Sequence, residues 1–398
     1  MGNIQGTLGT EALMRAVLNT SPAQGLTHAF YRYPARFSPA FVRAAIAEFS
    51  QPGDVILDPF MGCGTTLVEA LVAGRHAVGS DINTLAHFLA QVKTTLLAPG
   101  EYAEVAQWAE SIQDRLILRG PRRTLPLSIL PSDDPSQRGI PWPLRQIMVR
   151  ILAQEGQLTT HQQRQLVRCA LLRTGQWALD CTTAFPSAGA FRRQFVETVQ
   201  TFVKGLEELR EALERACGGA IPQIVCLNVP AADLQPTLWE ATLPKKPTLV
   251  VTSPPYPSVH VLYHRWQIRS RKEVPTPYWI ADQLDGHGEA YYTMGSRTPT
   301  GLNNYFQTIE CSFDRLRQVI AENATVVQLL AFSDIDAQLP RYLAAMERAG
   351  FQECDQVVED KEETGRTWRR VPLRRWYASH QGNTSSSHEV LLIHRPRP

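Results

Sequence analysis

The chain has 398 residues, of which 43% are hydrophobic and 20% charged, proportions that suit a folded protein and exclude global disorder. That length accommodates two or three domains, or one large domain with an insertion, and buries a core without disulfide or metal staples. Lys and Arg number 40 against 38 Asp and Glu, so the formal charge of +2 excludes a polycation or polyanion but not one basic face.

The first residues, MGNIQGTLGTEALMRAVL, lack a basic segment followed by an apolar one, and Gly6 stands where a myristoylation signal needs Ser or Thr. No run approaches the ~18 apolar residues of a membrane span. The seven cysteines (Cys63, Cys169, Cys181, Cys217, Cys226, Cys311 and Cys354) are odd in number and form no C-x-x-C pair. A disulfide framework and a thiolate zinc site are therefore not expected, and a cytoplasmic location is. His260, His264 and His287 lack the spacing of a metal site, so no metal is expected.

In chain order, residues 40–49 (AFVRAAIAEF) carry a helical pattern, and VILD (55–58) is a short buried strand after a Pro-Gly turn. A glycine turn (60–64), a helix (TTLVEALVAG), a second strand ending in Asp81 and another helix (83–97) follow. This β-α-β-α run implies a parallel sheet covered by helices. From 101 to 220 every periodic stretch is helical, which reads as an insertion. Strand signals return at 223–227 and 247–252. Segment 257–304 is polar and aromatic with weak periodicity, as in a binding loop or lid. A helix near 305–321, a strand at 325–332, a helix at 336–350 and two strand-like segments (351–360 and 388–395) complete the chain.

Two constellations carry chemistry. Asp58-Pro59-Phe60-Met61-Gly62-Cys63-Gly64-Thr65-Thr66 joins a strand to a helix, where glycines allow close backbone approach and the helix N-terminus offers N–H groups. Asp81 follows Gly64 by 17 residues, near the ~20 expected of a carboxylate that grips ribose hydroxyls. Leu67 replaces the third glycine of G-x-G-x-x-G, and no G-K-[ST] follows, so a nucleoside triphosphate loop is excluded. Thr252-Ser253-Pro254-Pro255-Tyr256 ends an apolar strand. Its two prolines stiffen the backbone and remove two donors, leaving the Pro254 carbonyl and Ser253 hydroxyl for an exocyclic amine and the Tyr256 face for a planar base.

These motifs resemble those of the amino-group S-adenosylmethionine-dependent DNA methyltransferases. The cofactor motif is similar to Asp58 through Thr66, the catalytic tetrapeptide to Ser253 through Tyr256, and a cofactor-flanking motif to Arg32-Tyr33-Pro34-Ala35-Arg36-Phe37-Ser38-Pro39. The resemblance covers most of 28–98 and 221–395. It implies an α/β fold, a class I methyltransferase Rossmann-like sheet of seven mostly parallel strands with a helical insertion. The expected catalytic domain is 1–100 with 221–398, the insertion is 101–220 and the loop or lid 257–304.

The resemblance further implies S-adenosyl-L-methionine as cofactor, without metal, held by Tyr33, Phe37, Asp58, Phe60, Gly62, Gly64, Thr65, Thr66, Asp81, Ile82 and Asp233. Ser253, Pro254, Pro255 and Tyr256 are the expected catalytic residues, and Ser at the first position is commoner in the cytosine-N4 branch. Adenine N6 stays open, as do an RNA base methyltransferase and a non-catalytic DNA- or cofactor-binding subunit. Cytosine C5 is disfavoured because no cysteine follows a proline. The expected partner is double-stranded DNA in a restriction–modification setting, with a separately acting endonuclease as a possible companion and a monomer or homodimer as the assembly. Two stretches interleave arginines with aromatics, 260–273 and 365–377. They make Arg265, Arg269, Arg271, Lys272, Arg366, Arg369, Arg370, Arg374 and Arg375 the expected DNA contacts.

Overall fold

Two helices, α1 (Glu11–Leu18) and α2 (Pro39–Phe49), pack on each other ahead of the first strand. The computed structural model describes residues 11–19, 24–32, 37–117, 137–182, 184–217, 220–243, 245–257, 259, 265–269, 271–286, 293–296, 298–356, 365–370 and 388–398, with the backbone alone at 271–273 and 370. The expectations for Tyr33, Arg374, Arg375, His260, His264 and His287 lie outside these residues, as do those for the side chains of Arg271, Lys272 and Arg370.

The apolar VILD run forms β1 (Val55–Asp58), buried throughout as a central parallel strand requires. The glycine turn leads into α3 (Thr65–Val72), then β2 (His76–Ser80) and α4 (Thr84–Thr94). Asn83 caps α4, its side-chain oxygen accepting from the N–H groups of Leu85 and Ala86. Four helices follow: α5 (Pro99–Ser111), α6 (Trp142–Gln154), α7 (His161–Leu179) and α8 (Ala188–Cys217). The remainder is β3 (Ile224–Leu227), β4 (Leu249–Thr252), β5 (Trp266–Ile268), β6 (Arg271–Val274), α9 (Thr276–Ala281), α10 (Pro299–Val319), β7 (Thr325–Ala331), α11 (Ile335–Arg348), β8 (Phe351–Glu353), β9 (Trp368–Arg370) and β10 (His388–Pro396).

The main sheet runs β3-β2-β1-β4-β7-β10-β8, with β9 added on β10. The pairings among β3, β2, β1, β4 and β7 are parallel, whereas β10 runs antiparallel to β7, β8 and β9. This is the seven-strand, mostly parallel α/β sheet of the class I methyltransferase type, extended by one short strand. The strand order, not the strand direction, reverses between β1 and β4, the switch point at which such sheets open a crevice beyond their carboxyl ends.

Strand alternation divides the core. Val55, Leu57, Val78 and Val250 pack with α10 and α11 residues such as Phe313 and Tyr342. Ile56, Ala77, Leu249 and Val251 pack with Phe41, Val42 and Ile46 of α2 on the opposite face. The helices α5–α8 share a third cluster with α3 and α4, in which Val68, Leu85 and Phe88 meet Val105, Leu166, Phe191 and Phe202. The helical stretch therefore covers the outer side of α3 and α4 through a continuous apolar contact. Phe30 seals its edge, stacked on Phe202 with ring centroids 3.9 Å apart.

Segment 257–304 holds more structure than its weak periodicity suggests. β5 and β6 form an antiparallel hairpin, and α9 follows. Strands of three and four residues are too short to display a period, which is why the sequence pattern shows none. The hairpin is anchored by Trp266, which is fully buried and donates from its indole N–H to the Tyr31 hydroxyl at 2.9 Å.

Candidate active site

The glycine turn lies at the carboxyl end of β1. Gly62 and Gly64 have φ of 49° and 76°, conformations that side-chain-bearing residues rarely adopt. A Cβ on Gly64 would also stand 2.9 Å from the Ala90 Cβ, so α4 closes over the turn only because that position is bare. From beneath, the buried Lys93 ammonium donates to the Cys63 carbonyl at 2.7 Å. The turn is thus held by its own glycines and by a charge on α4.

Asp58 is buried and its carboxylate accepts three hydrogen bonds, from the Phe60 N–H (3.2 Å), the Thr66 hydroxyl (2.6 Å) and the Thr252 hydroxyl (2.8 Å). Burial raises its pKa to about 6, and the three donors limit that rise. Thr66 belongs to the glycine turn and Thr252 immediately precedes Ser253, so one carboxylate joins both constellations. Pairing of β1 with β4 (Ile56 opposite Leu249, Leu57 opposite Val250) sets their carboxyl ends side by side.

Asp81, at the tip of β2, accepts from the Gly62 N–H at 3.0 Å and the Asn83 N–H at 2.8 Å. Its surroundings also raise its pKa to about 6, through burial against those two donors. Next to it Ile82 is an exposed apolar residue. Asn228, just past β3, donates to the carbonyls of Asp81 and Ile82 at 2.8 and 3.0 Å and holds this rim in place. Among the described residues, nothing partners the buried Thr65 hydroxyl at the start of α3. A positive-φ turn, an orphaned hydroxyl, a rim carboxylate and an exposed apolar side chain suit a nucleoside-bearing ligand. Phe60 is half-buried within the turn, whereas Phe37 sits by α2 with its ring 5.4 Å from that of Phe41. Asp233 is exposed in a short turn beyond β3.

At the end of β4, the Ser253 hydroxyl donates to the Leu329 carbonyl of β7 at 2.9 Å. The same hydroxyl also meets the Tyr256 phenol, so Ser253 stands between the Leu329 carbonyl and that side chain. Pro254 is buried, and no described residue donates to its carbonyl. The Tyr256 hydroxyl donates to Glu389 on β10. Burial first, and the Glu389 charge second, hold this phenol well above its ordinary range. Tyr256 therefore offers a ring face rather than a proton.

The arginines fare differently. Arg369 is buried, 4% exposed, and paired with Glu389 at 2.6 Å. The expectation that it meets DNA is corrected: β9 and β10 place it inside the sheet edge, where no phosphate reaches it. Arg366 lies in a two-pronged pair with Glu353, both bonds 2.7 Å, and Arg265 is paired with Asp285. Arg269 is exposed at the turn of the β5–β6 hairpin with φ 51° and lies over the Phe185 ring, 5.4 Å from its centroid.

Thr252 stood in the diproline constellation without a stated role, and Asn228, Lys93 and Glu389 escaped sequence reasoning as members of this site. Thr252 had a signal, a hydroxyl next to the diproline turn. The other three carry none, since a lysine on an amphipathic helix and a glutamate in a terminal strand read as solvent-facing. Among the described residues, no cluster of three or more His, Cys, Asp or Glu could hold a metal ion. No helix among them is long and apolar enough to cross a membrane.

The model of the N6/N4 methyltransferase family, described as DNA methylase, matches residues 14–91. Type II methyltransferase M.MvaI of Kocuria varians is 37% identical over 105 residues, 25% of this chain and 23% of the relative. DNA adenine methyltransferase YhdJ of Escherichia coli is 36% identical over 55 residues, 14% of this chain and 19% of the relative. The chain thus spans under a quarter of the length of these relatives. Among solved structures, the rRNA methyltransferase aviRa of Streptomyces viridochromogenes aligns with a TM-score of 0.33 and 11% identity, covering 99% of this chain and 93% of that one.

Proposed function

We propose, because residues 14–91 match the model of the N6/N4 methyltransferase family of DNA methylases, that the chain is a site-specific DNA methyltransferase acting on the exocyclic N4 amino group of a flipped cytosine, with S-adenosylmethionine as methyl donor. The observation that carries this reading is the Asp58 bridge, which joins Thr66 of the glycine turn to Thr252 of the diproline turn.

In this reading Asp81 takes the ribose hydroxyls, Ile82 lies against the adenine, and Gly62 through Thr66 line the amino-acid end. When bound, S-adenosylmethionine supplies an electrophilic methyl on a sulfonium. The protein's share is positioning. An exocyclic amine is a poor nucleophile because its lone pair is delocalised into the ring. The Pro254 carbonyl and the Ser253 oxygen, whose own proton goes to Leu329, accept the two amine protons and favour a localised lone pair. Tyr256 stacks on the base, which offsets ~1–3 kcal/mol of the few kcal/mol that flipping costs. Holding both reactants contributes ~7–11 kcal/mol toward the barrier. No covalent enzyme intermediate is required.

Double-stranded DNA is the proposed partner, in a restriction–modification or solitary modification role in the cytoplasm. Adenine N6 is the second reading, supported by the similarity to YhdJ. The test is to incubate the protein with duplex DNA, RNA and methyl-labelled S-adenosylmethionine, digest the products to nucleosides and resolve them by mass spectrometry. N4-methylcytosine from DNA is expected. N6-methyladenine would shift the reading to the second branch. Label in RNA alone, or in nothing, would overturn it.

A further inference from the structure

A buried ion pair lies behind the diproline turn, and none of the steps above uses it. Glu389 is the second residue of β10 and Arg369 ends the described side chains of β9, and the two face each other in the antiparallel register. Their side chains are 7% and 4% exposed. Arg369 Nε donates to Glu389 Oε2 at 2.6 Å, and its Nη1 reaches the Val17 carbonyl of α1 at 3.3 Å. The second carboxylate oxygen, Oε1, receives the Tyr256 hydroxyl.

Burying two charges is costly, and a hydrophobic pair of similar volume would fill the same space with less penalty. A carboxylate in that position makes a charge-assisted bond, roughly twice as strong as a neutral one, to whatever hydroxyl it meets. The hydroxyl it meets belongs to the residue whose ring faces the reaction. A Tyr at the end of a rigid diproline turn still rotates about its own side-chain bonds. A bond at the far end of the ring removes that freedom.

We propose that Glu389, itself held by Arg369, is a positioning residue that locks the Tyr256 ring in the orientation in which it stacks on the target base. The inference rests on the methyltransferase reading for its substrate, but the lock itself is a property of the folded chain. It explains why Tyr rather than Phe ends the tetrapeptide: the hydroxyl is an anchor. It also ties the catalytic turn to α1, β9 and β10, elements more than 100 residues away in sequence.

The test compares wild type, Tyr256→Phe, Glu389→Gln and the double variant. Tyr256→Phe keeps the ring and leaves the ion pair intact, so it reports even if removing the buried carboxylate prevents folding. The expected result is a kcat about tenfold lower in each single variant, with the affinity for S-adenosylmethionine unchanged. The double variant should be no slower than Tyr256→Phe, because that change removes the donor of the bond whose acceptor loses its charge in Glu389→Gln. A Tyr256→Phe enzyme as fast as wild type, or losses that multiply in the double variant, would overturn the proposal. A readout independent of turnover is the fluorine NMR signal of residue 256 in protein labelled with 3-fluorotyrosine. It should be narrow in wild type and shifted or broadened in Glu389→Gln; an unchanged signal overturns the lock. A wild type that methylates nothing but shows the shift would sink the enzymatic reading and leave the lock standing.

Discussion

At the scale of single residues, the site turns on two carboxyls with unlike tasks. Asp81 keeps a place at the rim beside the exposed Ile82. Asp58 is spent on structure, since all three of its bonds go to the protein. Burial raises both pKa values to about 6, from an ordinary carboxyl near ~4. The sign of the linkage follows. The folded state holds these protons more tightly than the unfolded chain, so the stability they contribute is present below pH ~4 and is lost as pH rises through ~6. Asp58→Asn, which cannot ionise, should remove its part of that loss. Urea midpoints of wild type and variant, measured between pH 4 and 7, should therefore differ by a gap that moves in the variant's favour as pH rises. Parallel curves would show that Asp58 does not titrate in this window. The same burial argument separates the readings of the arginines: Arg369 resembles its neighbours in sequence, and only its contacts reveal a side chain held inside the protein.

At the scale of elements, the strands and helices of the sheet were legible. VILD, HAVGSD and PTLVVT are apolar runs bounded by turns, and β1, β2 and β4 occupy them. The hairpin was not legible, because its stability comes from long-range contacts rather than from pattern. Trp266 packs over Gly175 of α7, while Asp180 and Cys181 bond the Gln267 backbone. A Cβ at Gly175 would stand 2.6 Å from the Trp266 ring. Alanine there gains up to ~1 kcal/mol of helix propensity but meets a rigid indole, and overpacking of this kind costs ~1–3 kcal/mol. Gly175→Ala is expected to lower the thermal midpoint and, if the proposed function holds, to weaken DNA binding more than cofactor binding, since the hairpin carries Arg269. Calorimetric titration with each ligand tests this, and an unchanged thermal midpoint would show that the indole gives way.

At the scale of the whole molecule, the helices α5–α8 form a cover for α3 and α4 built into one apolar cluster. The basic stretches are partly neutralised by acids of the protein itself. Arg366 is engaged by Glu353 through both prongs, whereas Arg269 stands exposed at a hairpin turn. Arg269→Ala should lower the slope of log affinity against log salt by about one, as for one lost phosphate contact, and Arg366→Ala should leave it nearly unchanged. Binding isotherms at several salt concentrations decide this; equal slopes for all three proteins would remove Arg269 from the interface. By itself the sequence determined the alternation of strands and helices, the two turns and the kind of ligand they suit, because local pattern and backbone chemistry act within a few residues. Only the tertiary structure decided that one carboxylate ties those turns together, that Arg369 faces Glu389 and that a hairpin leans on α7. Burial and pairing join residues 352 positions apart in the case of Arg369 and Val17, and no local window of sequence contains both partners.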